Sequence, residues 1–303
     1  RVLRLGHSVF LLCRDVRPFA RLGVQTRDDR VEGPATQRVL LSVARVGPLS
    51  RTLFIGGESG SGKEGVARAF HRAGPASGGA FVAVNCAAIP EGIAERLLFG
   101  ALRGAYSGAT ADTEGYLQAS SGGTLFLDEV ADLDASVQGK LLRVIESGEV
   151  TPLGATRPRK VDLRVCSATC KDLRALASSG GFRPDLYFRL GVPQVSVPPL
   201  RERREEIPWL VARAVHRVDP GLAPHATLVE ACLARAWPGN VRELLAELHT
   251  AAITAMTAGS PTVGAQHLSP SAGSDLNAAS AAPTPAPAAP PDRAQDEAAR
   301  ERA

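Results

Sequence analysis

Two hydrophobic periods alternate along the middle of this chain. Short apolar runs typical of buried strands occur at residues 52–55, 81–84, 124–127 and 163–168. Apolar residues at helical spacing follow Thr36 and recur at residues 64–73 and 136–147. Because strand and helix signals alternate, the pattern predicts an α/β fold in which a parallel sheet is flanked by helices.

The pattern changes after Pro198-Pro199-Leu200, where the strand signals stop. Helical segments are predicted near residues 207–217, 228–235 and 241–258, which indicates a smaller all-helical subdomain. From Gly259 the chain becomes a Ser/Ala/Pro tract that cannot bury enough apolar surface to offset its ordering entropy. We therefore expect residues 259–303 to be a flexible linker, with a charged segment at 292–303 where a helix would begin.

The first 35 residues lack the alternating pattern of the middle of the chain. Residues 1–17 contain the apolar run Val9–Leu12 after a Gly-His turn signal, which predicts one or two strands of a domain whose remainder is missing. Residues 18–35 are charged and carry Gly and Pro, which favours a linker.

Composition narrows the function classes. The net charge is 35 − 31 = +4, which is too mild by itself to indicate a nucleic-acid-binding face. The five scattered cysteines fit buried free thiols in a reducing compartment better than a zinc site, since no His or second Cys pair completes a set with Cys166 and Cys170. No run of eighteen apolar residues predicts a membrane span. The chain begins with Arg1 and shows no secretory signal, so we expect a cytoplasmic protein and a fragment of a longer one.

A phosphate-binding motif stands between a predicted strand and a predicted helix. The sequence GESGSGKE fits G-x-x-x-x-G-K, in which glycines let backbone N–H groups surround phosphates at a helix N-terminus. A plain Gly-rich turn is the alternative, but the strand–loop–helix context favours the P-loop. The candidate ATP-binding residues of this loop are Gly57, Glu58, Ser59, Gly60, Ser61, Gly62, Lys63 and Glu64. Glu64 occupies the position where a magnesium-binding Ser or Thr is common, and Lys63 is expected to reach the phosphates.

Two acids end the strand predicted at 124–127. Asp128 is expected to hold Mg²⁺ through water, and Glu129 to polarise the attacking water. An acidic pair after a strand is common by chance, but together with the P-loop upstream it indicates nucleotide hydrolysis.

Several further stretches resemble one family. The matching blocks are GESGSGKE at 57–64, VNCAAIPE at 84–91, LFG at 98–100, GAYSGA at 104–109, GGTLFLDEV at 122–130, FRPDLYFRL at 182–190, PPLRERREEI at 198–207 and WPGNVREL at 237–244. Over residues 36–258 the chain resembles the AAA+ domain of bacterial sigma-54-dependent transcriptional activators. In that family Glu commonly follows the P-loop lysine, so Glu64 agrees with the resemblance.

The block GAYSGA resembles the family's GAFTGA loop, which contacts sigma-54 when the nucleotide state changes. The resemblance implies a sigma-54 contact through Gly104, Ala105, Tyr106, Ser107, Gly108 and Ala109. Tyr106 stands for the family's Phe and Ser107 for its Thr. Taken alone, the block would be read as a plain surface loop.

Other roles are implied by the resemblance position by position. Asn85 matches an asparagine that restrains the catalytic glutamate, and Thr169 a γ-phosphate sensor. Arg183 and Arg189 match two arginines offered to the ATP of a neighbouring subunit, which implies a homo-oligomeric ring, a hexamer. Without the family they would be surface arginines beside an aspartate. Arg242 matches the lid arginine that reports nucleotide state.

Three departures from the family pattern bear on activity. Cys170 replaces the usual Asn or His after Thr169, and a thiol is a weak hydrogen-bond partner. The segment 97–102 lacks two acids and a histidine that help to transmit nucleotide state to the loop. Gly65 replaces an apolar residue in the helix after the P-loop, at a cost of about 1 kcal/mol in helix stability. We expect nucleotide binding to be intact and hydrolysis to be slow.

The resemblance also implies a domain order. The expected segments are a remnant of a sensory domain resembling the closing strands of a forkhead-associated domain (1–17), a linker (18–35), an AAA+ α/β subdomain (36–200), an AAA+ helical lid (201–258) and a disordered linker (259–303). A helix-turn-helix would come next in the family and none is visible before Ala303, so we expect DNA contact only through a domain outside this chain.

The resulting expectation is a transcriptional activator that hydrolyses ATP with Mg²⁺ and remodels the sigma-54 RNA polymerase holoenzyme. The alternative is a nucleotide-dependent binding or assembly module with impaired hydrolysis. A DNA-binding regulator acting without ATP is disfavoured, because the basic residues do not cluster.

Overall fold

The computed structural model describes residues 1–19, 22–28, 30–90 and 92–274. The part of the predicted linker beyond residue 274 therefore lies outside the described residues, as does Glu91 in the block at 84–91.

Two short antiparallel hairpins precede the main domain. The first is formed by β1 (Val2–Leu5) and β2 (Ser8–Leu11), the second by β3 (Gln25–Arg27) and β4 (Arg30–Glu32). The second hairpin lies in the segment predicted as a linker. Val31 and Glu32 are buried there, so this segment packs against the main domain although its sequence is polar.

A five-stranded parallel sheet forms the centre of the main domain, as the alternating periods predicted. Its elements in chain order are α1 (Pro34–Val46), β5 (Thr52–Gly56), α2 (Lys63–Ala73), β6 (Phe81–Asn85), α3 (Ala94–Phe99), α4 (Tyr116–Ala119), β7 (Thr124–Asp128), α5 (Ala135–Ser147), β8 (Glu149–Val150), β9 (Arg159–Lys160), β10 (Arg164–Thr169), α6 (Leu173–Ser179), α7 (Pro184–Leu190) and β11 (Gln194–Ser196). The strand order is β11-β5-β10-β7-β6, and β8 pairs with β9 separately.

Helices cover both faces of the sheet because its strands are apolar on both faces. In β5, Leu53 and Ile55 face α1 and α2, whereas Phe54 packs into the cluster formed with α5 and α7. In this parallel arrangement the carboxyl ends of β5, β7 and β10 meet at one edge of the sheet, which brings the residues after those strands together.

The chain continues into a helical region. This region contains α8 (Ile207–Val218), β12 (Ala223–Pro224), α9 (Ala226–Ala234), α10 (Asn240–Thr257) and β13 (Thr262–Val263). Its core surrounds the fully buried Trp237. The predicted α/β fold followed by a small helical region is confirmed, although the parallel β12–β13 pair means that the region is not all-helical.

The predicted disorder after Gly259 is wrong for residues 260–274. Val263, Leu268 and Ala272 are buried in the core of the helical region, and Gly273 N donates to the carboxylate of Glu243. A few well-placed apolar residues anchor this stretch despite its small and polar composition.

Candidate nucleotide-binding site

The loop between β5 and α2 has the backbone of a phosphate cradle. Gly57, Gly60 and Gly62 have φ values of 155°, 72° and 100°, in the left-handed region that favours glycine. The loop then runs directly into the first turn of α2, which begins at Lys63. N–H groups at a helix N-terminus favour anions, so the loop is suited to bind phosphate. Glu64 lies in that first turn and pairs with Arg68 at 2.7 Å.

Lys63 links the loop to the acidic strand end. Its side chain is 6% exposed, and Nζ donates to the carbonyls of Gly57 at 2.9 Å and Glu58 at 3.3 Å. Nζ also lies 3.3 Å from Oε1 of Glu129. The amine that the sequence assigned to phosphate contact therefore lies beside the carboxylate assigned to water activation.

Glu129 is held by two donors at the carboxyl end of the neighbouring strand β10. Its Oε2 accepts from Thr169 Oγ1 and from Cys170 N, both at 3.0 Å. Its backbone is left-handed, with φ of 52°, a conformation that is uncommon for non-glycine residues. Burial alone would raise the pKa of Glu129, but Cys170 N, the charge of Lys63 and the hydroxyl of Thr169 together hold that pKa below its usual value.

The pKa of Asp128 shifts in the opposite direction. Burial raises its pKa, against the attraction of Lys63. Among the described residues no group of three or more His, Cys, Asp or Glu side chains could hold a metal. A single carboxylate at a phosphate loop nevertheless fits Mg²⁺, which is commonly bound through one or two carboxylates and substrate phosphates rather than by an all-protein cage.

Asn85 does not restrain Glu129 in this structure. The residue is at the end of β6, paired in register with Asp128, and lines the same cleft. Its Oδ1 instead accepts from Ala87 N at 3.1 Å and caps a short turn. The restraint that the resemblance assigned to Asn85 is made here by Thr169 and Cys170.

The cleft at this edge has a volume of about 470 Å³ and extends well beyond the loop. One wall comes from the second hairpin, at Arg30 and Val31, and the facing wall from α8 and α10, at Leu210 and Leu245. The sequence does not predict Arg30 and Val31 as part of the site, because the pattern of the hairpin segment indicates a linker. Its single apolar residue Val31 between charged neighbours gave little signal.

The helical region reaches back onto the loop. Arg242 Nη1 donates to Ser59 Oγ at 3.0 Å, and Arg201 forms a two-point ion pair with Glu58 at 2.8 and 2.6 Å. Arg242 also lines the cleft, as the resemblance implied.

Arg183, which precedes α7, and Arg189, in its last turn, do not line this cleft. Arg183 pairs with Asp185 at 2.7 Å on the protein surface, and Arg189 is exposed in the last turn of the helix. Their place is consistent with arginines that act on a different subunit, and equally with plain surface arginines.

The loop 104–109 projects from the segment after α3. Gly104 and Gly108 have φ of 82° and 94°, and Gly104 N donates to Ala109 O, which closes the loop. The Arg96 guanidinium lies 5.0 Å from the centre of the Tyr106 ring, while Ser107 is exposed. The loop therefore presents a hydroxyl at its tip and holds its aromatic ring against α3.

The segment 97–102 that departs from the family pattern is mostly apolar and packed. Ala101 is buried and exchanges backbone hydrogen bonds with Thr113, and Leu102 N donates to Leu153 O. Of the five cysteines, Cys13 and Cys170 are exposed, which corrects the expectation of buried thiols at those two positions.

Comparisons with known proteins agree on one family. The sequence profile of the Sigma-54 interaction domain matches residues 30–196, and that of an AAA+ ATPase lid domain matches residues 201–284. The first match alone spans more than half of the 303 residues.

Curated relatives are transcriptional regulators. The chain is 49% identical over 209 residues to the response regulator protein PilR of Pseudomonas aeruginosa, a match that covers 66% of this chain and 47% of PilR. It is 46% identical over 215 residues to the DNA-binding transcriptional regulator NtrC of Bradyrhizobium, covering 70% of this chain and 45% of NtrC. The chain thus spans less than half the length of these relatives.

A similar solved structure is that of NtrX from Brucella abortus in complex with ATP. It superposes with a TM-score of 0.70 at 35% sequence identity, and the match covers 78% of this chain and 55% of NtrX. Within the part of our chain that the structure describes, no helix has the length and apolar character needed to cross a membrane.

Proposed function

The chain belongs to the family of sigma-54 interaction domains with an AAA+ ATPase lid, and from that premise we propose that it hydrolyses ATP to remodel the sigma-54 RNA polymerase holoenzyme. The observation that carries the proposal is the meeting of Lys63, Glu129 and Thr169 at the mouth of a glycine-rich phosphate loop.

ATP binding would use the loop and the cleft behind it. Backbone N–H groups of residues 57–63 and the Lys63 amine neutralise the phosphates, while the apolar and charged walls of the cleft receive the nucleoside. The solved complexes of NtrX with ATP and with ADP support this assignment. Asp128 would hold Mg²⁺, which when bound neutralises charge developing on the phosphate oxygens.

Hydrolysis would use Glu129 as the proton acceptor. Water attacks the γ-phosphorus, the bond to the ADP oxygen breaks, and a water proton passes to the Glu129 carboxylate. With its pKa lowered by Cys170 N, Lys63 and Thr169, against the opposing effect of burial, Glu129 is ionised at neutral pH but is a weak base while these partners hold it. Phosphate contact by Lys63 and Thr169 would release the carboxylate toward the water.

The exposed loop at 104–109 would contact sigma-54. Ser107 is accessible at its tip, and Tyr106 would leave Arg96 to present its aromatic face. The family match supports the partner, and the GAYSGA block supports the choice of loop.

The test measures ATP turnover, nucleotide affinity and sigma-54 binding on the same preparations. Lys63→Ala is expected to abolish nucleotide binding. Glu129→Gln is expected to bind ATP but to lose turnover by about 10²-fold or more. Tyr106→Ala is expected to keep turnover and lose sigma-54 binding, whereas Tyr106→Phe keeps both. Absence of magnesium-dependent turnover in the wild-type protein at assembling concentrations would refute the enzyme.

A second candidate function is a nucleotide-dependent binding or assembly module. It is favoured by the hold on Glu129 and by Cys170, whose thiol is a weak donor at a sensing position. In that case the wild-type protein and Glu129→Gln would bind ATP equally well and show the same negligible turnover.

A further inference from the structure

The backbone carbonyl groups of the phosphate loop, between β5 and α2, accept hydrogen bonds from two sources. Those of Gly57 and Glu58 accept from Lys63. The next three turn toward the helical region and the segment just before it: Ser59 O accepts from Asn240 Nδ2 at 3.1 Å, Gly60 O from Val241 N at 3.1 Å, and Ser61 O from Arg203 Nη2, before α8, at 2.5 Å.

Each of these hydrogen bonds also fixes the orientation of the N–H group of the following residue. The C=O of one residue and the N–H of the next belong to the same rigid peptide plane and point in opposite directions. Anchoring the carbonyls of Ser59 and Ser61 on the side of the helical region therefore sets the direction of the N–H groups of Gly60 and Gly62. Phosphate binding depends on that direction.

Asn240 is built into this contact. Its side chain is completely buried, and its φ of 56° is a left-handed value that Asn tolerates better than most residues. Beside Ser59 O, its Nδ2 donates to Glu58 Oε2 at 3.0 Å, and its Oδ1 accepts from Leu200 N at 2.7 Å. One amide thus connects the phosphate loop, the segment before α8 and the start of α10.

Arg203 is the second buried side chain at this contact. It is 4% exposed and pairs with the buried Glu206 at 2.8 Å. A buried guanidinium satisfied in this way is costly to displace. The backbone of the phosphate loop also contacts that of the helical region, since a Cβ on Gly60 would meet Gly239 O at 2.3 Å.

We propose that Asn240 and Arg203 are positioning residues that hold the peptide planes of the phosphate loop, so that the position of the helical region and the affinity for nucleotide phosphates are coupled. Neither residue needs to touch the nucleotide. The proposal rests on the proposed ATP binding, and coupling of this kind is reciprocal: phosphate binding must stabilise the start of α10 as strongly as that contact stabilises phosphate binding.

The experiment compares Asn240→Gly and Arg203→Lys with the wild-type chain. Glycine keeps the left-handed backbone while removing the amide, and lysine keeps the charge beside Glu206 while removing the fork that reaches Ser61 O. Val263→Ala is the control, because it weakens the same helical core away from the loop. Binding of a fluorescent ADP and thermal unfolding without nucleotide are measured for each, together with amide hydrogen exchange of residues 239–244 with and without ADP.

Both loop-facing variants are expected to bind ADP at least about fivefold more weakly, within the usual range of coupling between sites. Val263→Ala should keep wild-type affinity even if it unfolds at a lower temperature. ADP should slow exchange at residues 239–244 in the wild-type protein and much less in Asn240→Gly. Equal affinities for wild-type protein and Asn240→Gly, or an equal loss in Val263→Ala, would overturn the coupling. A wild-type protein that binds no ADP would instead contradict nucleotide binding itself.

Discussion

At the scale of single residues, the question is how firmly Glu129 is restrained. Two of its three restraints come from Thr169 and Cys170, and the bond from Cys170 uses the backbone N–H, which any residue at that position except proline retains. The thiol itself lies beside the carboxylate. Although the residue as a whole is exposed, partial desolvation of the thiol raises the pKa of Cys170, and the neighbouring charge of Glu129 raises it further, so the group remains a neutral, weak donor.

Asn, the residue usual in the family at this position, can bond a phosphate-linked water while the backbone N–H of residue 170 keeps its bond to Glu129, so Cys170→Asn should change turnover more than binding. We expect Cys170→Asn to raise ATP turnover about fivefold, the rate equivalent of a hydrogen bond with a net worth of about 1 kcal/mol. The Kd for ATP should stay within about twofold, because Lys63 and the loop backbone are untouched. Steady-state phosphate release and fluorescent-nucleotide binding measure the two quantities. Cys170→Ala serves as the control and should not exceed wild-type turnover, and an unchanged or lower rate in Cys170→Asn would contradict the argument.

The sequence predicts some of these residues better than others for a physical reason. Lys63, Asp128 and Glu129 belong to short segments in which strand, turn and helix fix the side chain locally, so a motif is enough to predict them. Asn240 contacts the loop across 182 residues of sequence through a turn in the left-handed region. Such a contact depends on how the helical region docks, and no local pattern contains that information.

At the scale of elements, α2 contains one of the departures from the family pattern, and the structure shows which side chain contacts it. Gly65 lies in its first turns, and Arg30 of the second hairpin donates through Nη1 to Gly65 O at 2.6 Å. A Cβ at position 65 would lie 3.1 Å from that same Nη1, at the far end of a flexible side chain. The glycine gives the arginine room at the wall of the cleft, at the cost of helix stability.

We expect Gly65→Ala to stabilise the chain, because the arginine tip can shift by a few tenths of an ångström while α2 gains about 1 kcal/mol of helix propensity. The midpoint of thermal unfolding should rise by about 2–4 °C for a domain of this size. The same substitution at Gly60 is the matched control and should lower the midpoint, since Gly60 has a φ of 72° and its Cβ would overlap Gly239 O. A lower midpoint for Gly65→Ala would mean that Arg30 cannot move.

Strong periodic segments were predicted well, and weakly apolar ones were not. The sheet strands and α5 have enough buried positions to mark them in the sequence. The hairpin at 25–32 and the stretch 260–274 have only one to three apolar anchors each, such as Val31 and Val263, among polar or small residues. Their order comes from docking onto surfaces made elsewhere in the chain, so composition alone indicated linkers.

At the scale of the whole molecule, the proposed chemistry is incomplete within one copy of the chain. Lys63, Asp128 and Glu129 meet at the cleft, but the two arginines that the family resemblance assigns to phosphoryl transfer lie at the two ends of α7, outside that cleft. An arginine supplied by a neighbouring subunit would account for this separation. A head-to-tail ring would then place α7 of each copy at the cleft of the next.

Mixing inactive variants tests whether the site is shared between copies. In Arg189→Ala the cleft is intact, but the arginine offered to the neighbouring cleft is missing. In Lys63→Ala that arginine is intact, but the cleft of the same copy binds no nucleotide. Each homogeneous protein should be inactive. In equimolar mixed rings, roughly a quarter of the clefts pair an intact loop with an intact neighbouring arginine, so turnover should return to roughly that fraction of wild type. Mixing Lys63→Ala with Glu129→Gln is the matched control: both changes lie in the same cleft, so every cleft in the mixed ring carries one of them and turnover should not return. If the Arg189→Ala mixture also stays inactive while Arg189→Ala still binds ATP and assembles, the arginine does not act across the subunit boundary.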